Sequence, residues 1–216
     1  MLKNLTTIVL GAGASAEIGM PLGVKLAETI AESLYFEFDF DRLKKGDDRI
    51  YWCLKSAFVD PEILNLHLKA CRHIHDGVLQ WRSIDNYIDA HKSDKEVQTV
   101  AKIAIAENIL RSERALNLIQ KDRSRNGSAT NTQVLGQTWY DEFFSILFRG
   151  VTREELKRAF EILVVISFNY DRCFQQAAIL WMMSAYHLSY DEGLSALSNL
   201  KILYPYGTVC TRTVIT

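Results

Sequence analysis

Two short segments of this chain carry residue types whose spacing suits chemistry: Gly11-Ala12-Gly13-Ala14-Ser15 and Ser167-Phe168-Asn169-Tyr170-Asp171. In the first, Gly11, Gly13 and Ala16 follow a G-x-G-x-x-G/A pattern. Small residues between a strand and a helix let backbone N–H groups close on phosphate oxygens, and the helix N-terminus adds partial positive charge. The chemistry implied is the holding of a dinucleotide pyrophosphate, although small residues also serve tight packing alone. In the second segment, Asn169 could hydrogen-bond a ribose hydroxyl or a nicotinamide amide, or orient a water. Asp171 could support Asn169 or cap the next helix; taken alone, the segment reads better as a loop residue followed by an N-cap.

These segments need a scaffold. Thr6 to Leu10 is a β-branched apolar run stopping at glycine, which predicts a short buried strand. Pro21, then Leu22, Val24, Leu26, Ala27, Ile30 and Leu34, fit a helix with Pro21 in its first turn. Tyr35 to Phe40 alternates aromatic and acidic residues, as an exposed strand or a loop would. From about 47 to 120 nearly everything reads helical, with starts at Asp60-Pro61 and at a Ser93/Glu96 capping box. Residues 121–137 are polar and predict a mobile loop. An aromatic helix resumes at Trp139 to Leu147, and Thr152 with Glu155 and Ser189 with Glu192 make two further capping boxes. Ile162 to Phe168 is apolar on both faces, as a central parallel strand is when helices cover both sides. Lys201 to Leu203 leads a last strand into Tyr204-Pro205-Tyr206-Gly207. The expected fold is α/β, a Rossmann-like parallel sheet with helices on both faces. It is one domain over 1–216 with a helical insertion at about 47–150. Three strands are few for such a sheet, and the tail from Val209 to Thr216 carries no capping signal, so the sheet is expected to be incomplete at the C-terminus.

With both motifs in view, the chain resembles the Sir2-like (sirtuin) superfamily, and in particular its bacterial anti-phage NADase branch. The stretch from Gly11 through Ser15 to Gly19, Met20 and Pro21 is similar to that family's opening, which wraps the NAD pyrophosphate and leads into a cofactor loop. Ser167 to Asp171 resembles its Thr/Ser-x-Asn-Tyr/Phe-Asp signature, and Gly207 falls where the family has a His-Gly pair. The resemblance implies that Gly11, Ala12, Gly13, Ala14, Ser15, Gly19, Pro21, Ser167, Asn169 and Gly207 border NAD, with Asn169 and Asp171 in the reaction. It also implies a pocket-shaping role for Asp85, which with Asp89 shares one helix face, although an acidic helix start in solvent explains both equally well. The segment departs from the family in having Tyr204 or Tyr206 and no histidine; Tyr206 takes the histidine's place, and tyrosine is a poor base near neutrality. The implied activity is hydrolysis of NAD to ADP-ribose and nicotinamide. The alternative is a non-catalytic sensor of NAD or ADP-ribose.

Composition narrows the rest. A net charge of −1 over 216 residues argues against general nucleic-acid binding. No apolar run reaches the ~20 residues of a membrane span, and the start leaves no room for a signal peptide, so a cytoplasmic protein is expected. Cys53, Cys71, Cys173 and Cys210 contain no paired spacing, which speaks against zinc and against the zinc-bearing deacylase branch. His67, Cys71, His73 and His75 match no metal-site spacing. Trp139, Tyr140, Phe143, Phe144 and Phe148 fit a core or a subunit interface, leaving open a homo-oligomer or a separate sensor partner. A third reading is an oxidoreductase with Asp39, at the end of a second strand, as the ribose acid.

Overall fold

A computed structural model describes residues 4–40, 42–116 and 135–209. They fall into two compact units: a sheet unit of Met1–Met20 and Ser112–Thr216, and a helical unit of Pro21–Arg111. The sheet unit opens with β1 (Thr6–Leu10) and α1 (Ala12–Ala16). The helical unit contains α2 (Gly23–Ser33), β2 (Glu37–Asp39), β3 (Arg42–Lys45), α3 (Asp48–Ala57), α4 (Pro61–Gly77), α5 (Ile84–Ala90) and α6 (Lys95–Ala115), whose last residues count with the sheet unit. The sheet unit resumes with α7 (Trp139–Leu147), α8 (Leu156–Glu161), β4 (Leu163–Ser167), α9 (Cys173–Tyr186), α10 (Tyr190–Ala196) and β5 (Lys201–Leu203).

The sheet is parallel, in the order β1-β4-β5, and is flanked by helices, so the chain is α/β and compatible with a Rossmann-like fold. Residues Thr6 to Leu10 pair in register with Leu163 to Ser167, which places the ends of both motif strands side by side. Burial along β4 alternates instead of being uniform: Leu163, Val165 and Ser167 are buried, Val164 and Ile166 only partly. The row Val9, Ile166 and Leu203 lies in register on the less covered face, where Val9 and Leu203 remain more than half exposed. The sheet unit also contains an aromatic core. Tyr140, Phe144 and Leu147 of α7 are fully enclosed, and the Phe144 ring lies 5.4 Å from Phe174 of α9. Helix α9 buries residues around most of its circumference, which explains its nearly unbroken apolar sequence. The aromatic cluster is therefore largely core.

Local signals explain most element ends. Asp60 accepts from the Glu62 and Ile63 amides, with Pro61 as the first residue of α4. The Glu155 carboxylate accepts from the Thr152 amide and hydroxyl, and Ser189 and Glu192 cap each other at α10. The cap of α6 is not Ser93. Asp94 accepts from the Val97 amide at 2.9 Å, because a carboxylate one residue closer offers the stronger acceptor. Pro21 lies outside the first turn of α2, whose N-cap is an extended Leu22 (φ −71°, ψ 163°). The chain needs that break: Gly19 has a φ of +94°, which ends α1 before the next helix starts.

Within the helical unit, β2 and β3 form an antiparallel hairpin of their own. Asp39 therefore sits exposed at the end of a hairpin strand, not at the end of a parallel one, and the oxidoreductase reading loses its ribose acid. The helical unit starts at Pro21 and ends at Arg111, and α7, inside the span expected for the insertion, packs on α9 in the sheet unit. Most of the polar segment 121–137, and the tail beyond Val209, lie outside the described residues. Among the described residues no helix is long and apolar enough to cross a membrane.

Candidate functional site

The carboxyl edge of a parallel sheet is where the strands hand over to loops, and here both motifs meet there. After β1, Gly11, Ala12 and Gly13 are exposed while Ser15 is buried. Gly11 is the N-cap of α1 and has extended angles (φ −119°, ψ −179°) that any residue adopts. A β-carbon placed at Gly11 or Gly13 would meet no atom of the described residues within 4 Å. Neither backbone conformation nor packing requires glycine there, and at both positions the backbone is open to approach from outside. The first amides of a helix lack partners within it, and no side chain caps α1. With only five residues, α1 adds little dipole; the amides themselves are the useful donors.

Ser15 joins the two motifs. Its hydroxyl donates to Asp171 Oδ1 at 3.0 Å and accepts from Asn169 Nδ2 at 3.2 Å. The Tyr140 hydroxyl lies 3.4 Å away, and since the Ser15 proton is already committed, Tyr140 is the donor. These contacts use the serine's single proton and both lone pairs, so Ser15 acts as an internal strut and does not present its hydroxyl to a ligand.

Asn169 is held from three directions. Its Nδ2 also donates to the Gly11 carbonyl at 3.0 Å, and its backbone N–H donates to Ser167 Oγ at 3.2 Å. A carbonyl can only accept, so the contact with Gly11 fixes which end of the carboxamide carries nitrogen. Asn169 Oδ1 accepts no hydrogen bond from the described residues, and it is the atom left for a water or a ribose hydroxyl. Ser167, 5% exposed, positions the Asn169 backbone rather than a ligand.

Asp171 is also buried, and accepts from the Cys173 amide at 2.9 Å as well as from Ser15. The same oxygen thus holds the first amide of α9 and anchors Ser15. Burial pushes its carboxyl above the usual range, and the hydrogen bonds from Cys173 and Ser15 oppose the rise. Burial, with Asp171 beside it, likewise raises the Cys173 thiol.

No family model, curated protein or solved structure matches this chain.

The third expected segment is tied to the second. The Thr208 hydroxyl and the Val209 amide both donate to the Tyr170 carbonyl, at 3.0 and 3.1 Å, and Gly207 turns back to Tyr204 with a φ of +84°. Tyr204 is turned inward: Gln175 Nε2 donates to its hydroxyl at 2.5 Å, and burial pushes its pKa up to about 12. Tyr206 is 62% exposed beside Phe168.

Other expected residues fall elsewhere. Pro21 and Asp85 belong to the helical unit, Asp85 exposed in the first turn of α5. His67 and His75 turn their Nδ1 atoms to the carbonyls of Ile63 and Ala31, both at 2.8 Å. Among the described residues no three His, Cys, Asp or Glu side chains could hold a metal ion. Three supports of the site were not read from the sequence. Trp139 Nε1 donates to the Ala14 carbonyl at 2.7 Å, its backbone amide donates to Glu17, and Glu113 accepts from the Arg172 amide and guanidinium. All three depend on long-range pairing, and none has a local sequence signal.

Proposed function

We propose that this chain is a Sir2-like NAD-binding protein that hydrolyses NAD to ADP-ribose and nicotinamide, as in bacterial anti-phage defence. The observation that carries the reading is the Asn169 carboxamide, locked to the Gly11 carbonyl and to Ser15, with Oδ1 bonded to none of the described residues beside an open glycine turn. The Ala12 and Gly13 amides would hold the pyrophosphate. Asn169 Oδ1 would accept a hydrogen bond from water or from the ribose next to the nicotinamide. In the reaction the C1′–nitrogen bond breaks, its electron pair leaves with neutral nicotinamide, and water adds to C1′ with loss of a proton. A positively charged sugar is attacked readily, so positioning the water matters more than a strong base. The missing base costs rate, typically about 10²–10⁴-fold, without abolishing the reaction. Asp171 supports Asn169 through Ser15.

A second reading, a sensor that binds NAD or ADP-ribose without turnover, is favoured by one observation. The Tyr204–Gly207 turn contains no histidine, and its inner tyrosine is engaged by Gln175. One assay separates the two. NAD incubated with the purified chain is followed by HPLC beside Asn169→Ala, with calorimetric binding of ADP-ribose in parallel. Hydrolysis is expected in the parent and a loss of about a hundredfold or more in the variant. Binding without turnover establishes the sensor, and the absence of both overturns the proposal.

A further inference from the structure

Beyond Asn169, the sheet edge ends in two aromatic rings that the reaction above does not use. Phe168 follows β4 directly and Tyr206 closes the turn after β5, and their ring centroids lie 5.5 Å apart at 63°. Both are exposed, Phe168 to 42% and Tyr206 to 62%. Two large aromatics held in contact and facing solvent offer apolar surface whose burial by a ligand is favourable. Their positions are fixed: Phe168 donates its amide to the Leu10 carbonyl at 2.9 Å, and the Tyr206 turn is tied to Tyr170 through Thr208 and Val209. The edge-to-face packing leaves ring surface on the outer side free for a flat ligand.

The order of the strands says which part of a ligand arrives there. The glycine turn follows β1, Asn169 follows β4, and Tyr206 follows β5. Neighbouring strands are about 4.8 Å apart, so Tyr206, after β5, lies about 10 Å from the glycine turn after β1, and Phe168 stands with Asn169 on the strand between them. A dinucleotide with its pyrophosphate on the glycine turn and the ribose of its scissile bond at Asn169 brings the next group, its base, onto this pair.

We propose that Phe168 and Tyr206 form the stacking face for the pyridine ring of NAD; this rests on the reading of the glycine turn and Asn169 given above. The oxidised ring is flat and cationic, and an aromatic face attracts it both by stacking and through its electron density. ADP-ribose, which lacks the ring, leaves the face empty. The pair therefore separates substrate from product. Tyr206, which the resemblance sets in the histidine's place, contributes its ring and not its hydroxyl.

The test is calorimetry with two ligands, ADP-ribose and a carbocyclic NAD analogue that cannot be cleaved. Phe168→Ala and Tyr206→Ala are each expected to weaken the analogue about tenfold while ADP-ribose changes less than about twofold. Tyr206→Phe, which keeps the ring, is expected to bind both ligands as the parent does. Parent-like affinity of the alanine variants for the analogue overturns the stacking face and leaves the phosphate site standing. Equal loss for both ligands also overturns it, and a weaker Tyr206→Phe returns the role to the hydroxyl. Failure of the parent to bind either ligand removes the stacking face together with the reading beneath it.

Discussion

At Gly11 and Gly13 the chain has glycine where the backbone would accept other residues, whereas at Phe40 it has a bulky side chain where the backbone favours glycine. Gly11 is extended and neither glycine would crowd a neighbour if given a β-carbon. Phe40, at the tip of the β2–β3 hairpin, has a φ of +52° and is 97% exposed. A third position, Gly46, shows the ordinary case: its φ is +92°, and a β-carbon there would press into the Phe36 ring and the Tyr35 carbonyl. Glycine at Gly46 is dictated by the fold. At Gly11 and Gly13 the fold makes no such demand, and the proposed phosphate site supplies a reason for glycine there.

The three positions can be separated by substitution. Gly46→Ala is expected to be the most harmful, at on the order of 3 kcal/mol from strain and overpacking together, read by urea denaturation. If it is tolerated, the contrast collapses. Gly13→Ala is expected to divide the two properties, leaving the fold intact or more stable by about 0.5 kcal/mol. The same change weakens ADP-ribose by about tenfold or more in calorimetry, because its methyl occupies the space a phosphate needs. Unchanged binding would show that the open space is incidental. Phe40→Asn has the smallest effect, a gain of about 0.5 kcal/mol as the left-handed turn receives a residue that tolerates it. Loss of stability there would mean that the ring makes a contact worth more than its strain.

How far these features could be read in advance depended on how local their causes are. Thr6–Leu10, Leu163–Ser167 and Lys201–Leu203 announce themselves by composition, and Thr152/Glu155 and Ser189/Glu192 cap within four residues. The parallel α/β class follows from the order of such elements. Asp94 displaced Ser93 as a cap because adjacent acceptors compete, and spacing does not rank them. The hairpin was half legible: Phe36, Phe38 and Phe40 alternate with acids, but nothing local says that Arg42–Lys45 is the partner strand. At the site, the types of Asn169 and Asp171 were readable. The strut role of Ser15 was not, since it is defined by groups more than 120 residues away. Tyr140 and Trp139 looked like core because their chemistry lies in one hydroxyl and one indole nitrogen at the edge of an apolar cluster.

The pairing of β1 with β4 has a consequence in time. Leu10 and Leu163 are separated by about 150 residues, and translation at about 5–20 residues per second leaves β1 without its neighbour for roughly 8 to 30 seconds. The helical unit, one continuous stretch from Pro21 to Arg111, is complete well before then. The glycine turn, by contrast, gains its asparagine only when Asn169 emerges from the ribosome. Until Asn169 has been made, the turn after β1 stands without the side chain that spans it in the finished fold.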